Sequence, residues 1–211
     1  MKHYSTIFLD WNSTLSYSKF WGHWQRESNP YNNIFNNIQS TLFSISSAKI
    51  KDWMRGKYST EQIVEFVAKH TEQNYKLLLS EFIKSCQQME YSSFHIPQLI
   101  KQLRAKGIKV LIATDNVDSF TRWTVPALKL DILFDDILNS YNLRVLKTDI
   151  DEKGESLFFK KGLKKNFNFK GSVLIDDNLD VKSIVKKSNI DFLYITKENE
   201  LERHLEKLLN G

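Results

Sequence analysis

Apolar positions along the chain fall into two patterns. Four short runs are almost continuously apolar: Ser5 to Asp10 (S-T-I-F-L-D), Lys109 to Thr114 (K-V-L-I-A-T), Ser172 to Asp177 (S-V-L-I-D-D) and Asp191 to Ile195 (D-F-L-Y-I). Runs of this length and density predict strands buried on both faces, as in a parallel sheet covered by helices. The segments between them repeat with the period of a helix. Ile96 to Lys106 places Ile96, Leu99, Ile100 and Leu103 on one face, with Gly107 following as a terminator. Val117 to Leu128 predicts a second helix, kinked or ended by Pro126. Glu155 to Asn166, Leu179 to Lys187 and Glu198 to Leu209 predict three more. Strand–helix alternation of this kind predicts an α/β fold, a doubly wound, Rossmann-like parallel sheet.

Leu15 to Tyr91 breaks the alternation. It is rich in Asn, Ser and aromatic residues and has no buried-strand pattern. Ser59-Thr60-Glu61 opens a helix whose apolar face is Ile63, Val64, Phe66 and Val67, and Tyr75 to Met89 predicts another. The Asn-rich piece from Asn29 to Asn37 predicts a loop. The stretch is therefore read as a helical insert, so that residues 1–14 and 92–211 form the α/β core and residues 15–91 stand apart from it.

Composition narrows the picture. A chain of 211 residues with 41% apolar content suits one large domain, or a core with an insert, and excludes wholesale disorder. The net charge of +5 is spread along the chain. Its densest run, Lys160-Lys161 and Lys164-Lys165, alternates with apolar residues as on a solvated helix face, so no nucleic acid partner is expected. A single cysteine, Cys86, forms no internal disulfide and lies in a helical pattern as a packed residue. No stretch has the length and apolarity of a membrane span or a signal peptide, which leads to the expectation of a cytoplasmic protein with no membrane partner. Nothing in the chain fixes an oligomeric state.

Chemistry gathers at the strand ends. Three of the four runs finish in groups that bind charge: Asp10, Thr114 and the pair Asp176-Asp177. In an open parallel sheet, ligands bind beyond the carboxyl ends of the strands, so these side chains are expected to meet at one edge. Clustered carboxylates repel one another unless a cation lies among them, and hard oxygen donors select Mg²⁺. Lys147, in a loop ahead of the third run, is placed to reach the same edge. A carboxylate nucleophile, a hydroxyl, an ammonium and an acid pair form an inventory suited to phosphoryl transfer, with an aspartate attacking phosphorus.

The same residues carry a family resemblance. F-L-D-W-N-S-T-L (Phe8 to Leu15) resembles the first motif of the haloacid dehalogenase (HAD) superfamily, usually D-x-D-x-T. L-I-A-T-D-N (Leu111 to Asn116) is similar to its second motif, and Phe134 to Asp149 is similar to the stretch that leads to its motif lysine. V-L-I-D-D-N (Val173 to Asn178) is similar to its acidic fourth motif. The resemblance implies a magnesium-dependent hydrolase that removes phosphate from a small phosphorylated metabolite through an aspartyl-phosphate on Asp10. It implies Asp10 as nucleophile and metal ligand, and the Asn12 backbone carbonyl, Asp176 and Asp177 as further ligands. Thr114 and the following amide, with Asp115 and Asn116 beside them, would hold the phosphoryl oxygens. Lys147 would steady the nucleophile and the transferred group, and residues 15–91 would be the family's α-helical cap. Asp180 is a further acid just beyond the fourth motif.

Three positions depart from the pattern. Asn12 stands where phosphatases of the family carry an Asp that protonates the leaving group. An amide transfers no proton near neutral pH, which predicts a bias toward good leaving groups such as acyl or aryl phosphates. Ser13 replaces a usual Gly, and Thr148 a usual Pro. Alternative readings are a phosphotransferase or mutase of the same family, or a catalytically weak phosphate-binding regulatory protein. Dehalogenation is disfavoured, because that branch needs no metal and Asp176-Asp177 argues for one. Among the insert residues, His23 is a candidate proton carrier, Arg26, Arg55 and Lys57 are candidate anion contacts, and Trp53 and Tyr58 are candidate cleft linings.

Overall fold

The four apolar runs become strands β1 (Thr6–Leu9), β2 (Lys109–Thr114), β4 (Ser172–Asp176) and β5 (Ile190–Tyr194), joined by a fifth, β3 (Asp136–Asn139). The computed structural model describes residues 3–45, 47–163, 167–197 and 200–211. The sheet order is β3-β2-β1-β4-β5 and every neighbouring pair is parallel. Sequence patterning misses β3 because only Ile137 and Leu138 of its four residues are apolar. Asp135, just before it, fixes its place: its backbone N–H donates to the Val110 carbonyl (2.9 Å), and its carboxylate accepts from the Val110 N–H (2.8 Å).

Both faces of the sheet are covered, which explains the continuous apolar runs. Ile7 and Leu9 of β1 point to one face, with α5 (Ile96–Ala105) and the terminal helix Glu200–Asn210 among the elements packed there. Phe8 points to the other, against Phe158 and Phe159 of helix Leu157–Gly162 and Val185 of helix Lys182–Lys187. The helix expected over Glu155 to Asn166 is shorter, and Lys164, Lys165 and Asn166 lie outside the described residues. The same holds for Glu198 at the start of the last expected helix. The Val117 to Leu128 segment is helical but widens to a π turn over Phe120–Thr124 before continuing as Val125–Leu128. Pro126 cannot donate a backbone hydrogen bond, so the ladder must change there.

Between β1 and α5 the chain forms α1 (Asn32–Gln39), a π-helical turn (Ser40–Ile45), α2 (Ser47–Met54), α3 (Thr60–Thr71) and α4 (Tyr75–Gln87). The expected loop at Asn29 to Asn37 is mostly helix. Phe35, Ile38 and Leu42 recur at helical spacing and are buried, and this packing outweighs the weak helix propensity of the asparagines. Ser59 caps α3 in a reciprocal box with Gln62, and the Asn74 side chain caps α4. Phe20, Trp21, Trp53 and Phe82 pack at tilted and edge-to-face angles within this helical group. Its buried side chains belong to the same apolar cluster as the Ile7/Leu9 face of the sheet. Among the described residues no helix is long and apolar enough to cross a membrane.

Candidate active site

Strand register brings the site together. Leu9 pairs with Ile112 on β2 and with Ile175 on β4, so Asp10, Ala113 and Asp176 reach the same level at the carboxyl edge. The Asp10 N–H donates to the Ile175 carbonyl (3.0 Å), extending the pairing to the carboxylate itself. Helix Ser140–Leu143 follows β3 and leads to the loop that carries Lys147. From there the ammonium donates to Asp10 Oδ1 (2.8 Å), to Asp176 Oδ2 (2.5 Å) and to the Ala113 carbonyl (3.3 Å). The lysine is 2% exposed, so it serves this cluster and not solvent. Its own N–H donates to Asp115 Oδ1 (2.9 Å), and its carbonyl accepts from the Ser156 hydroxyl (3.3 Å).

Oxygens of Asp10, Asp176 and Asp177 lie within 4.8 Å of one another. Burial pushes the Asp10 carboxyl up to about 7; Lys147 opposes this, while Asp176 and Asp177 add to it. Asp177 and Asp115 are also raised, in each case mainly by burial. For Lys147, burial alone would favour the neutral amine, but Asp10, Asp176 and Asp115 together outweigh it and keep the ammonium charged. One ammonium among these acids leaves the cluster with excess negative charge. A group of hard oxygen donors this tight fits a divalent cation such as Mg²⁺, with Asp10, Asp176 and Asp177 as the side chains able to hold it.

An open cleft of about 370 Å³ is lined by Asp10, Asn12, Asp115, Lys147, Asp176, Asp177 and Asn178. Thr114 is fully buried and is not among the residues lining the cleft; among the described residues its hydroxyl has no hydrogen-bond partner. Asn116 is buried too. Its N–H donates to the Ser140 hydroxyl (3.0 Å) and its side-chain oxygen accepts from the Val117 N–H (2.9 Å). Its backbone N–H and its side-chain oxygen are therefore already committed inside the protein. The Asp115 carboxylate accepts from Lys147 and would repel an anion in its ionised form.

The insert residues separate into different places. His23 pairs with Glu81 (2.7 Å) and, with Arg26, lines a different, polar groove. Arg55 bonds Asp149 through two contacts (2.6 and 2.9 Å), and Lys57 pairs with Asp52 (2.8 Å), so neither cation lines the cleft. Tyr58 lies under the Lys49 ammonium at 4.3 Å. Trp53 is fully buried and lines a second cavity next to the cleft. Asp180 is exposed on the first turn after Asn178.

Two contributors went unrecognised in the sequence. Ser13 adopts a left-handed φ of 55°, the conformation a glycine would hold without strain, and its side chain offsets a little of the rise that burial gives the Asp177 carboxyl. Asp118 is buried at 5% exposure and accepts from Trp53 Nε1 (2.8 Å), the Thr60 N–H (3.1 Å) and the Thr60 hydroxyl (2.7 Å). It ties α2 and α3 to the helix that follows β2. The motif around Ser13 holds a hint, the lost glycine. Asp118 offers none, because its partners are 58 and 65 residues away.

No protein-family model matches the chain, and no curated protein matches its sequence. Solved structures match in fold along nearly the whole length. A HAD family enzyme from Bacteroides thetaiotaomicron, in complex with magnesium and inorganic phosphate, aligns with a TM-score of 0.66 at 16% identity, covering 96% of this chain and 98% of its own. The putative HAD-hydrolase YfnB from Bacillus subtilis, bound to magnesium, aligns at 0.64 and 15%, covering 98% and 99%. The L-2-haloacid dehalogenase from Xanthobacter autotrophicus, with chloropropionic acid covalently bound, aligns at 0.62 and 11%, covering 97% and 83%.

Proposed function

We propose that this chain, which has the fold of the HAD-like hydrolases, is a Mg²⁺-dependent phosphatase of a small phosphorylated metabolite. The observation that carries the reading is the convergence of Asp10, Lys147, Asp176 and Asp177 at one sheet edge. Asp10 and Asp176 share one buried ammonium, which opposes the effect of burial on the Asp10 carboxyl and favours its ionised form. The Bacteroides enzyme that binds magnesium and phosphate supports the choice of phosphate over halide. The acid pair Asp176-Asp177 points the same way, since displacing a halide needs no cation.

Asp10 Oδ attacks phosphorus, the bond from phosphorus to the leaving oxygen breaks, and an aspartyl-phosphate forms. Water then attacks phosphorus, the bond to Asp10 breaks, and inorganic phosphate is released. When bound, Mg²⁺ supplies positive charge that offsets the phosphoryl oxygens and the carboxylates. Lys147 holds Asp10 and Asp176 in place through both steps. The Thr114 hydroxyl is the donor left free for a phosphoryl oxygen. Asn12 cannot protonate the departing oxygen, so the leaving group must depart as an anion or take its proton from water. Helices α1 to α4 act as a cap beside the cleft.

The test is hydrolysis of an aryl phosphate with Mg²⁺, with EDTA, and with Asp10→Asn. Turnover that needs the cation and disappears in Asp10→Asn is expected. Undiminished turnover in Asp10→Asn would end the nucleophile assignment. Asn12 favours one other reading, a phosphate-binding regulatory protein, and phosphate binding with no turnover of any ester would establish it.

A further inference from the structure

Next to the acidic cleft lies a second cavity of about 390 Å³, and Asn12 lines both. Its character is opposite to that of the cleft. Phe20, Phe43, Ile50, Trp53 and Met54 supply apolar walls, and Asn116 and Val117, which follow Asp115 of the cleft in the chain, line it too. The size falls within the range of ordinary small-molecule sites. Among its linings, the Gln39 amide nitrogen is buried and has no hydrogen-bond partner among the described residues. A donor of this kind normally finds an acceptor, so an acceptor on the occupant would satisfy it.

From this geometry we infer that the substrate is an aryl phosphate, whose aromatic body fills the cavity between Phe20, Phe43 and Trp53 and presents a hydrogen-bond acceptor to Gln39. The inference rests on the phosphatase reading of the neighbouring cleft. Aromatic walls favour a flat apolar ring by stacking and by area removed from water. Ser13, Ser16, Ser18, Lys19 and Asn116 also line the cavity and could meet some hydroxyls of a sugar or polyol, but those set against the aromatic walls would stay unpaired, which disfavours it by roughly tenfold or more for each such group. The chemistry at Asn12 is a second, independent argument. A phenol has a pKa of about 10, as in tyrosine. A phenolate therefore leaves without a proton, whereas an alkoxide, with a conjugate acid nearer that of water at about 16, needs one. The same residue that lacks a proton to give thus stands at the entrance to a cavity built for a leaving group that needs none.

The experiment compares 1-naphthyl phosphate, acetyl phosphate and glycerol phosphate on the full chain with Mg²⁺. Acetyl phosphate has a good leaving group but almost no body, so it isolates the cavity from the chemistry. A kcat/KM for naphthyl phosphate at least tenfold above that for acetyl phosphate is expected, with glycerol phosphate lowest. Phe43 is 48% exposed, so Phe43→Ala leaves the fold intact; it should narrow the naphthyl-to-acetyl ratio by roughly five- to tenfold. Gln39→Leu should weaken 4-nitrophenyl phosphate more than phenyl phosphate, through KM.

A direct binding measurement, calorimetry with phenylphosphonate against methylphosphonate, requires no turnover. Tighter binding of the phenyl compound supports the inference even in a protein that hydrolyses nothing, in which case only the phosphatase reading fails. Equal kcat/KM for naphthyl and acetyl phosphate, or equal or absent binding of the two phosphonates, overturns the inference, and the phosphatase reading stands wherever turnover persists.

Discussion

Replacing Asp118 by alanine should destabilise the protein more than any other single polar substitution away from the cleft. The carboxylate holds Trp53 Nε1 at 2.8 Å and the Thr60 hydroxyl at 2.7 Å on one oxygen, and the Thr60 N–H at 3.1 Å on the other. Trp53 and Thr60 are both fully buried, so water cannot take over these bonds. Arg122 adds a contact at 3.0 Å, but its side chain is 44% exposed, and that pair is discounted. Three buried donors without an acceptor, at about 1–3 kcal/mol each, sum to roughly 3–9 kcal/mol. Local relaxation trims this toward about 3–5 kcal/mol, the usual result of removing one partner from a buried charged group. A typical domain has about 5–15 kcal/mol in total, so the loss is a large fraction of it. The carboxylate also sits at the amino end of α3, where the helix dipole favours negative charge. Asp118→Asn, which keeps an acceptor oxygen, should cost about 1–3 kcal/mol. Urea unfolding followed by tryptophan fluorescence reads both values as shifts in midpoint at constant slope. A cycle with Thr60→Val should give a coupling of about 1–2 kcal/mol. If Asp118→Ala costs less than about 1 kcal/mol, or the cycle is additive, these bonds do not hold the helices to the sheet.

Three further outcomes are expected. Asn12→Asp should raise the rate on an alkyl phosphate, by up to about 10²–10⁴ if proton donation is all that limits it, and change the rate on an aryl phosphate far less; steady-state kinetics on the two esters reads the contrast. Gly56→Ala should lower stability by about 2 kcal/mol or more in the same urea assay, because φ is +72° and the added Cβ would lie 2.9 Å from the Tyr141 carbonyl oxygen. Cys86 is fully buried, and burial pushes its thiol up to about 12. Labelling of the folded protein by a thiol reagent should therefore stay slow even at pH 9, where a free thiol is largely ionised, and become fast in denaturant.

Strands that are buried on both faces announce themselves as unbroken apolar runs, and β1, β2 and β4 were legible for that reason; β5 lies at an edge with Phe192 and Leu193 half-buried and Tyr194 exposed, and was legible only because most of its residues are apolar all the same. β3 was not: half of its residues are polar, Asp136 is exposed, and Asn139 is occupied in capping the following turn. The α1 helix was hidden by its asparagines, which populate its outer face and leave Phe35 and Ile38 to bury the inner one. At the site, the acids were legible because parallel strands deliver their last residues to a common edge, so position in the run is position in space. Lys147 was legible as a loop cation able to reach that edge, and its particular role only through the resemblance to a motif. Asp118 and the cavity beside Asn12 depend on contacts between segments far apart in the chain, and no local pattern encodes them. His23, a residue chemically suited to proton transfer, faces a different groove and pairs with Glu81, as a histidine set between tryptophans more often does.

The apolar cluster that includes Ile7 and Leu9 runs without interruption into Trp21, Trp53 and Phe82. Cutting the chain at the junctions of residues 15–91 would strip one side of the sheet of part of its covering and leave aromatic surface in water. Grafting a foreign lid onto this scaffold, or exporting this one, would therefore face a mismatch of shape along the seam. New selectivity is better sought by changing single side chains around the cavity than by exchanging whole modules.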